Sequence, residues 1–241
     1  MKIEVLYPEV CNLCGDQMNI RYLQKCCPEI EVVETDLKSR PAFLDSAVDL
    51  VYMGCATEKG LQLSAAALMS VKDEIAAKID NGQRMLLTGN ALDVFGESVD
   101  SDEGMHIDGL GLLPTKARYT MMNRHNSFFL GTFGADGETM DVVGFKSLFG
   151  HTYGAPAGKA LFTVRRGVGR NPDTAEEGFV RGGLMATYLT GPLLPLNPPF
   201  TKWLLRQLGA DDTLAFEEAA TEAYRIRVAE FSEESRPALY V

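Results

Sequence analysis

The chain has 241 residues, with 23 Lys+Arg against 33 Asp+Glu, a formal charge of −10 and a pI near 4.9. That acidic balance argues against nucleic acid, whose phosphates are held by basic faces, and against anionic membrane surfaces. A composition 46% hydrophobic and 23% charged excludes wholesale disorder, and the length suits one α/β domain with a sizeable core.

In chain order, Met1-Lys2-Ile3-Glu4-Val5-Leu6-Tyr7 is too short and too charged for the apolar region of a signal peptide. No apolar run approaches the ~20 residues of a membrane span. A cytoplasmic protein without a membrane span is therefore expected. Alternating and β-branched runs predict strands at about 2–7, 30–35, 48–53 and 84–88, with helices at about 16–26 and 58–80 between them. The second helix carries Leu61, Ala65, Leu68, Val71, Ile75 and Ile79 as one apolar stripe. Strand and helix in alternation predict a mostly parallel sheet with helices on both faces and a site at the carboxyl ends of its strands.

Cys11, Cys14, Cys26 and Cys27 crowd the N-terminal part and Cys55 stands apart. The adjacent second pair is poorly spaced for tetrahedral zinc, and an odd count is a poor disulfide framework. A Cys-x-x-Cys redox pair at 11 and 14 fits between strand and helix, but reduced, semi-buried thiols are the expectation. From about 105 to 165 Gly and aromatic residues rise, with strand-like runs at 128–130, 142–145 and 160–164 and a turn at Gly134-Ala135-Asp136-Gly137. This predicts an antiparallel extension of the same sheet. The stretch 167–178 reads as a mobile, exposed loop, 184–189 as a buried strand and 198–208 as a helix. From Asp211 a separate helical extension (211–241, after a domain of 1–210) carries Phe216, Ala220, Tyr224 and Val228 at four-residue steps, to pack on the domain or on a partner.

Three groups of segments resemble a known family. The first is Leu6-Tyr7-Pro8 with Asn12-Leu13-Cys14-Gly15-Asp16 and Asn19. The second is Asp49-Leu50-Val51-Tyr52-Met53-Gly54 with Leu86-Leu87-Thr88-Gly89-Asn90. The third is Thr187-Tyr188-Leu189-Thr190-Gly191-Pro192 with Leu194-Pro195 and Asn197-Pro198. Over about residues 3–208 the chain is similar to class I glutamine amidotransferases of the cobyric acid synthase (CobB/CobQ-like) type, and within them to the glutaminase subunits of lipid II isoglutaminyl synthases. The resemblance implies a flavodoxin-like α/β fold and no cofactor or metal. It also implies glutamine amide hydrolysis by a Cys on a sharp strand-to-helix turn, a His base on a later strand, and ammonia delivery to a partner synthase.

The chain departs from that pattern at both essential positions. Thr88 stands at the nucleophile elbow, where the family has Cys-Gly-Gly, and Thr190 stands at the base position. The first oxyanion loop reads Gly54-Cys55-Ala56 instead of three glycines, and the family's Gly-Phe-Glu-Asn-His-Gly-Gly-Arg-Thr stretch survives as residues 144–152 with Lys146 third. Asp16, in the triad region, and Arg124, near the glutamine pocket, are retained; Gly54, Cys55, Gly89 and Arg124 are the candidate substrate-binding residues. A threonine hydroxyl needs an adjacent base, and a second threonine is none. Losing nucleophile and base together removes roughly 10⁶-fold of rate. The expected function is thus a catalytically degenerate amidotransferase-like subunit, related to peptidoglycan or cobalamin precursor amidation, that binds a Mur-ligase-like or other synthase, or glutamine or a related small ligand. The alternative is an active glutaminase or other amide hydrolase that uses Cys55 with His125 or His151. His106 has no expected role.

Overall fold

The computed structural model describes residues 1–122, 124–233 and 239–240. Strands β1 (Lys2–Leu6), β2 (Glu31–Thr35), β3 (Leu50–Met53) and β4 (Met85–Thr88) alternate with α1 (Met18–Cys26), α2 (Ala42–Asp45), α3 (Glu58–Met69) and α4 (Lys72–Asp80). After α5 (Ala91–Phe95) come β5 (Ser98–Ser101), β6 (His106–Asp108), β7 (Lys116–Tyr119), β8 (His125–Ala135), β9 (Glu138–Leu148) and β10 (Gly150–Tyr153). The chain continues through β11 (Phe162–Arg166), β12 (Glu176–Glu177), β13 (Phe179–Arg181), β14 (Leu184–Thr187), α6 (Leu193–Leu196), α7 (Pro198–Gln207), α8 (Glu217–Ser232) and β15 (Leu239–Tyr240).

The central sheet has the order β13-β14-β4-β3-β1-β2 and is parallel except for β13 at its edge. Its inner strands β3, β4 and β14 are buried at every residue, as a sheet covered on both sides requires. The two-residue period splits them: Val51, Met53, Met85 and Leu87 join one core with Leu61, Leu68, Ile75 and Ile79 of α3 and α4. Leu50, Tyr52 and Leu86 join the other with Leu23 of α1 and Phe200 and Leu204 of α7.

The middle of the chain departs from expectation. It does not extend the central sheet but builds two further sheets, one of order β10-β7-β5-β6 and one containing β12, β11, β8, β9 and β15. The physical reason lies in their apolar faces: Val99, Ile107 and Ala117 are buried into the first core, and Phe129, Phe133 and Phe162 into the second. Strands β8 and β9 form one hairpin closed by Asp136 and Gly137, both with positive φ (55° and 78°), the backbone that a two-residue hairpin turn demands. The single helix expected over 58–80 is two, because Val71 takes φ −117° and ψ 11° and breaks the turn between them. The segment 167–178 is not an exposed loop. Arg170 and Asn171 are buried there, with Arg170 Nη1 donating to the Gly178 carbonyl (3.1 Å) and Asn171 Nδ2 to that of Thr152 (2.7 Å).

Helix α8 lies on β8 and β9, with the Tyr224 hydroxyl donating to the Asp141 carbonyl (2.8 Å) and Phe231 stacked on Phe128 (4.5 Å between centroids). Phe216 does not join the expected stripe: it precedes the helix with φ 55° and is 75% exposed. Residues 234–238 and 241 of the expected extension lie outside the described residues. No helix among the described residues is long and apolar enough to cross a membrane.

Candidate functional site

Thr88 ends β4 directly opposite Thr187 of β14, so Thr88 and the Thr190 that follows three residues later lie at the carboxyl end of the parallel sheet, where α/β folds place their sites. Gly89 turns the chain from β4 into α5 with φ +61°; a Cβ there would meet Cys55 Cβ at 2.6 Å, so only glycine fits between elbow and loop.

The Thr88 side chain is fully buried and engaged. Its Oγ1 donates to Asp16 Oδ2 (2.8 Å) and lies 2.7 Å from the Tyr52 hydroxyl. That hydroxyl donates to the Asp16 carbonyl (2.9 Å) and accepts from Asn19 Nδ2 (3.0 Å), while Asn19 Oδ1 accepts from Leu194 N (2.8 Å). Burial raises the Asp16 carboxyl to about 6, against the lowering effect of its bonds from Thr88 and Cys55 N–H. Asp16 Oδ1 is buried without a hydrogen-bond partner.

The loop after β3 is closed by side chains. Cys55 N donates to Asp16 Oδ2 (2.9 Å) and Ala56 N to Asn90 Oδ1 (2.9 Å), while Asn90 Nδ2 returns to the Ala56 carbonyl (2.8 Å). Two N–H groups of the loop matched to the family's first oxyanion loop are thereby occupied within the protein. Thr190 is also turned to backbone: its N and Oγ1 both donate to the Phe145 carbonyl, at 3.0 and 3.1 Å.

Arg124 is exposed, its guanidinium 4.8 Å from the centroid of the Phe149 ring and near enough to Cys14 to favour its thiolate. Cys55 is buried and its thiol is raised, chiefly by its bond with Cys14 and then by burial. His125 and His151 sit against each other, ring centroids 4.0 Å apart. Burial lowers both, His151 to about 4, with His125 and Lys146 adding to the effect on His151. His151 N–H and Cys55 share no hydrogen bond, and the neighbours that act on His151 are His125, Lys146, Arg170 and Asp173, whereas those that act on Cys55 are Cys14, Asn90 and Asp16. The structure gathers Asp16, Thr88, Cys55, Gly54 and Gly89.

Behind Thr190 lies a buried ion pair. Lys146 Nζ donates to Glu177 Oε2 and to the Gly169 carbonyl (2.6 Å), while Glu177 Oε1 accepts from Thr187 Oγ1 (2.9 Å) and Tyr188 N (2.8 Å). Below the elbow, Asp93 of α5 accepts from the hydroxyls of Tyr188, Tyr119 (2.7 Å) and Thr152 (3.3 Å), and burial raises it to about 6. The sequence pointed to no role for Tyr52 or Asn90, and to Cys14 only as a candidate redox partner of Cys11. Each stands inside a quoted motif, but nothing in a motif tells which backbone group a side chain will meet. Among the described residues no three His, Cys, Asp or Glu side chains converge as a metal ion requires.

A mostly parallel sheet with an antiparallel edge, a sharp glycine turn at the end of β4 and a polar cluster beside it define an amidotransferase-type α/β domain. The chain belongs to the CobB/CobQ-like glutamine amidotransferase domain family, which it matches over residues 2–198. It is 25% identical over 210 residues to the subunit GatD of lipid II isoglutaminyl synthase (glutamine-hydrolyzing) of Staphylococcus aureus strain N315, covering 86% of this chain and 83% of that one. In fold it is similar to PurLQS of Thermotoga maritima, with a TM-score of 0.56 at 12% identity over 94% of this chain and 98% of that one. A glutamine amidotransferase from the same organism aligns with a TM-score of 0.51 at 12% identity, over 95% of this chain and 94% of that one.

Proposed function

We propose that this chain is a glutamine amidotransferase-type subunit that no longer hydrolyses glutamine and serves a partner synthase, of the Mur-ligase-like kind, as a binding subunit. One observation carries the reading: the groups at the family's reactive positions are spent on one another. The Thr88 hydroxyl is given to Asp16, Cys55 N–H to the same carboxyl, Ala56 N–H to Asn90, and the Thr190 hydroxyl to a backbone carbonyl. A nucleophile needs a base within hydrogen-bond reach and an oxyanion needs donors aimed at it. Asp16, fully buried beside Thr88, is a weak base for a hydroxyl that is essentially never ionised near neutrality. The relationship to a lipid II isoglutaminyl synthase subunit favours peptidoglycan amidation over cobalamin synthesis as the setting.

The alternative hydrolase built on Cys55 is disfavoured, because the Cys14 bond and burial hold that thiol protonated. The test is ammonia release from glutamine by the purified chain, with and without a candidate synthase, together with a thermal shift. Binding to the folded state alone raises Tm by mass action. No ammonia, with a shift on adding glutamine or the synthase, is the expected result. Glutamine-dependent ammonia release that Thr88→Val abolishes would overturn it.

A further inference from the structure

Cys14 stands in the middle of a short 3-10 turn (Leu13–Gly15), in the left-handed region with φ 58°, and its side chain is exposed. Cys55 lies buried behind it. Two hydrogen bonds hold the Cys55 peptide against this turn from either side of Cys14: Leu13 N donates to the Cys55 carbonyl (2.9 Å), and Asp16 Oδ2 accepts from Cys55 N (2.9 Å). On another side of the Cys55 sulfur the elbow backbone is packed so closely that a Cβ on Gly89 would stand 2.9 Å from Sγ. Forty-one positions separate the two cysteines in sequence, and the Cys11–Cys14 spacing that suggests a redox pair is not the one the fold uses: Cys11 is buried, with its sulfur 3.4 Å from Ser64 Oγ.

The geometry points to a thiol–disulfide exchange site at the edge of the crevice, in which Cys14 attacks low-molecular-weight disulfides and Cys55 resolves the adduct. The electrostatics agree. The bond from Cys55 and the charge of Arg124 hold the Cys14 thiol below the usual range, while burial raises Cys11, Cys26 and Cys27, so Cys14 alone of the five is poised as a thiolate. In the first step the Cys14 thiolate attacks one sulfur of the disulfide RSSR. A Cys14–SR bond forms, the S–S bond breaks and RS⁻ departs. Forming the adduct removes the Cys14 thiolate, the chief group that holds the Cys55 proton; in the second step Cys55 gives that proton to a departing thiolate, its sulfur attacks Cys14 Sγ, and a second RS⁻ leaves. Two thiols of the chain are oxidised and one external disulfide is reduced to two thiols. The product bridges the turn at 13–15 to the loop at 54–56, across the mouth of the crevice. This holds whether or not glutamine is hydrolysed.

The experiment treats the native full-length chain at pH 7 with 5,5′-dithiobis(2-nitrobenzoate). Wild type is expected to release two thionitrobenzoates in its fast phase and retain none, with a tryptic digest showing the Cys14 and Cys55 peptides joined. Cys55→Ser should release one and keep the aryl adduct on Cys14, and Cys14→Ser should lose the fast phase, slowing it by about tenfold or more. A wild-type chain that keeps a stable adduct, or a digest without the joined peptides, would overturn the proposal without reference to any variant. So would a Cys14→Ser chain, folded by circular dichroism, that reacts as fast as wild type.

Discussion

Thr88 and Asn90 differ in what their side chains cost the site. Thr88 fills a position whose hydroxyl satisfies Asp16, and Thr88→Val keeps the shape while leaving that buried carboxyl short of a donor. A loss of about 1–3 kcal/mol in urea unfolding is expected. Asn90 instead occupies the Ala56 backbone N–H, which on the proposed reading is a donor that an oxyanion would need. Restoring the family's reactive pair with Thr88→Cys and Thr190→His should therefore yield little ammonia release on its own. Adding Asn90→Gly to that pair should raise the rate by about 10²–10³-fold, the usual worth of one oxyanion donor. If the double variant already matches the triple, the closure of the loop by Asn90 is irrelevant. At this scale the sequence located positions but not partners. Thr88, Thr190, Asp16 and Arg124 were legible by their places in motifs, whereas the Asn90–Ala56 clasp and the Cys14–Cys55 pair join residues 34 and 41 positions apart, whose approach only strand order brings about.

Among the elements, β9 reaches Thr190 through the Phe145 carbonyl, β14 sets Thr187 opposite Thr88, and α7 ties down the turn of the β8–β9 hairpin. Trp203 Nε1 of α7 donates to Asp136 Oδ2 in the hairpin turn (2.9 Å) and Gln207 Nε2 adds a second bond (2.8 Å), while Phe133 meets Trp203 and Phe200 edge to face. Residue 146 shows how a changed charge is absorbed. Lys146, at a position where the resemblance implies Glu, is buried and finds Glu177 on β12. Lys146→Met should cost about 3–5 kcal/mol, because Glu177 is then left charged in the core. Lys146→Met with Glu177→Gln should recover most of that loss, as a double-mutant cycle in urea would show. The strands β1 to β4 were readable from their alternation and β-branched content. The separate sheets of the middle were not, since Gly- and aromatic-rich strands carry the same period whichever sheet they join.

For the whole molecule, the buried ionisable groups set opposing pH dependences. Asp93 is raised from 3.8 to about 6, so its protonated form is favoured in the folded state. Its contribution is full below the unfolded value and is lost as pH rises through about 6. Two units correspond to on the order of 2–3 kcal/mol. Asp93→Asn should flatten the fall in urea midpoint between pH 4.5 and 7 (chosen to bracket that interval) by roughly that amount. His151, lowered from 6.5 to about 4, acts in the other direction: its stability is full above the unfolded value and lost as pH falls toward about 4. His151→Asn should reduce acid sensitivity in that window, by about 1 kcal/mol once partial exposure is discounted. A chain ending at residue 210 should fold, since no residue of α8 is buried, yet melt lower. The loss of buried Leu214 and the Phe231–Phe128 stack, about 3 kcal/mol, corresponds to roughly 6–12 °C.

By itself the sequence determined the alternation of strand and helix, the parallel sheet and the family, and its resemblance to that family is what points to Thr88 and Thr190 as the reactive positions. These follow from local periodicity and from motifs contiguous in the chain. The tertiary structure decided what those positions do. Buried hydroxyls, amides and carboxyls must find partners, and which partner lies within 3 Å depends on the order of strands in the sheet and the path of each loop across its edge. That is why Thr88 could be read as a missing nucleophile from the sequence, while only the fold shows its hydroxyl committed to Asp16, the loop amides closed, and an exposed thiol at Cys14 backed by a buried one at Cys55.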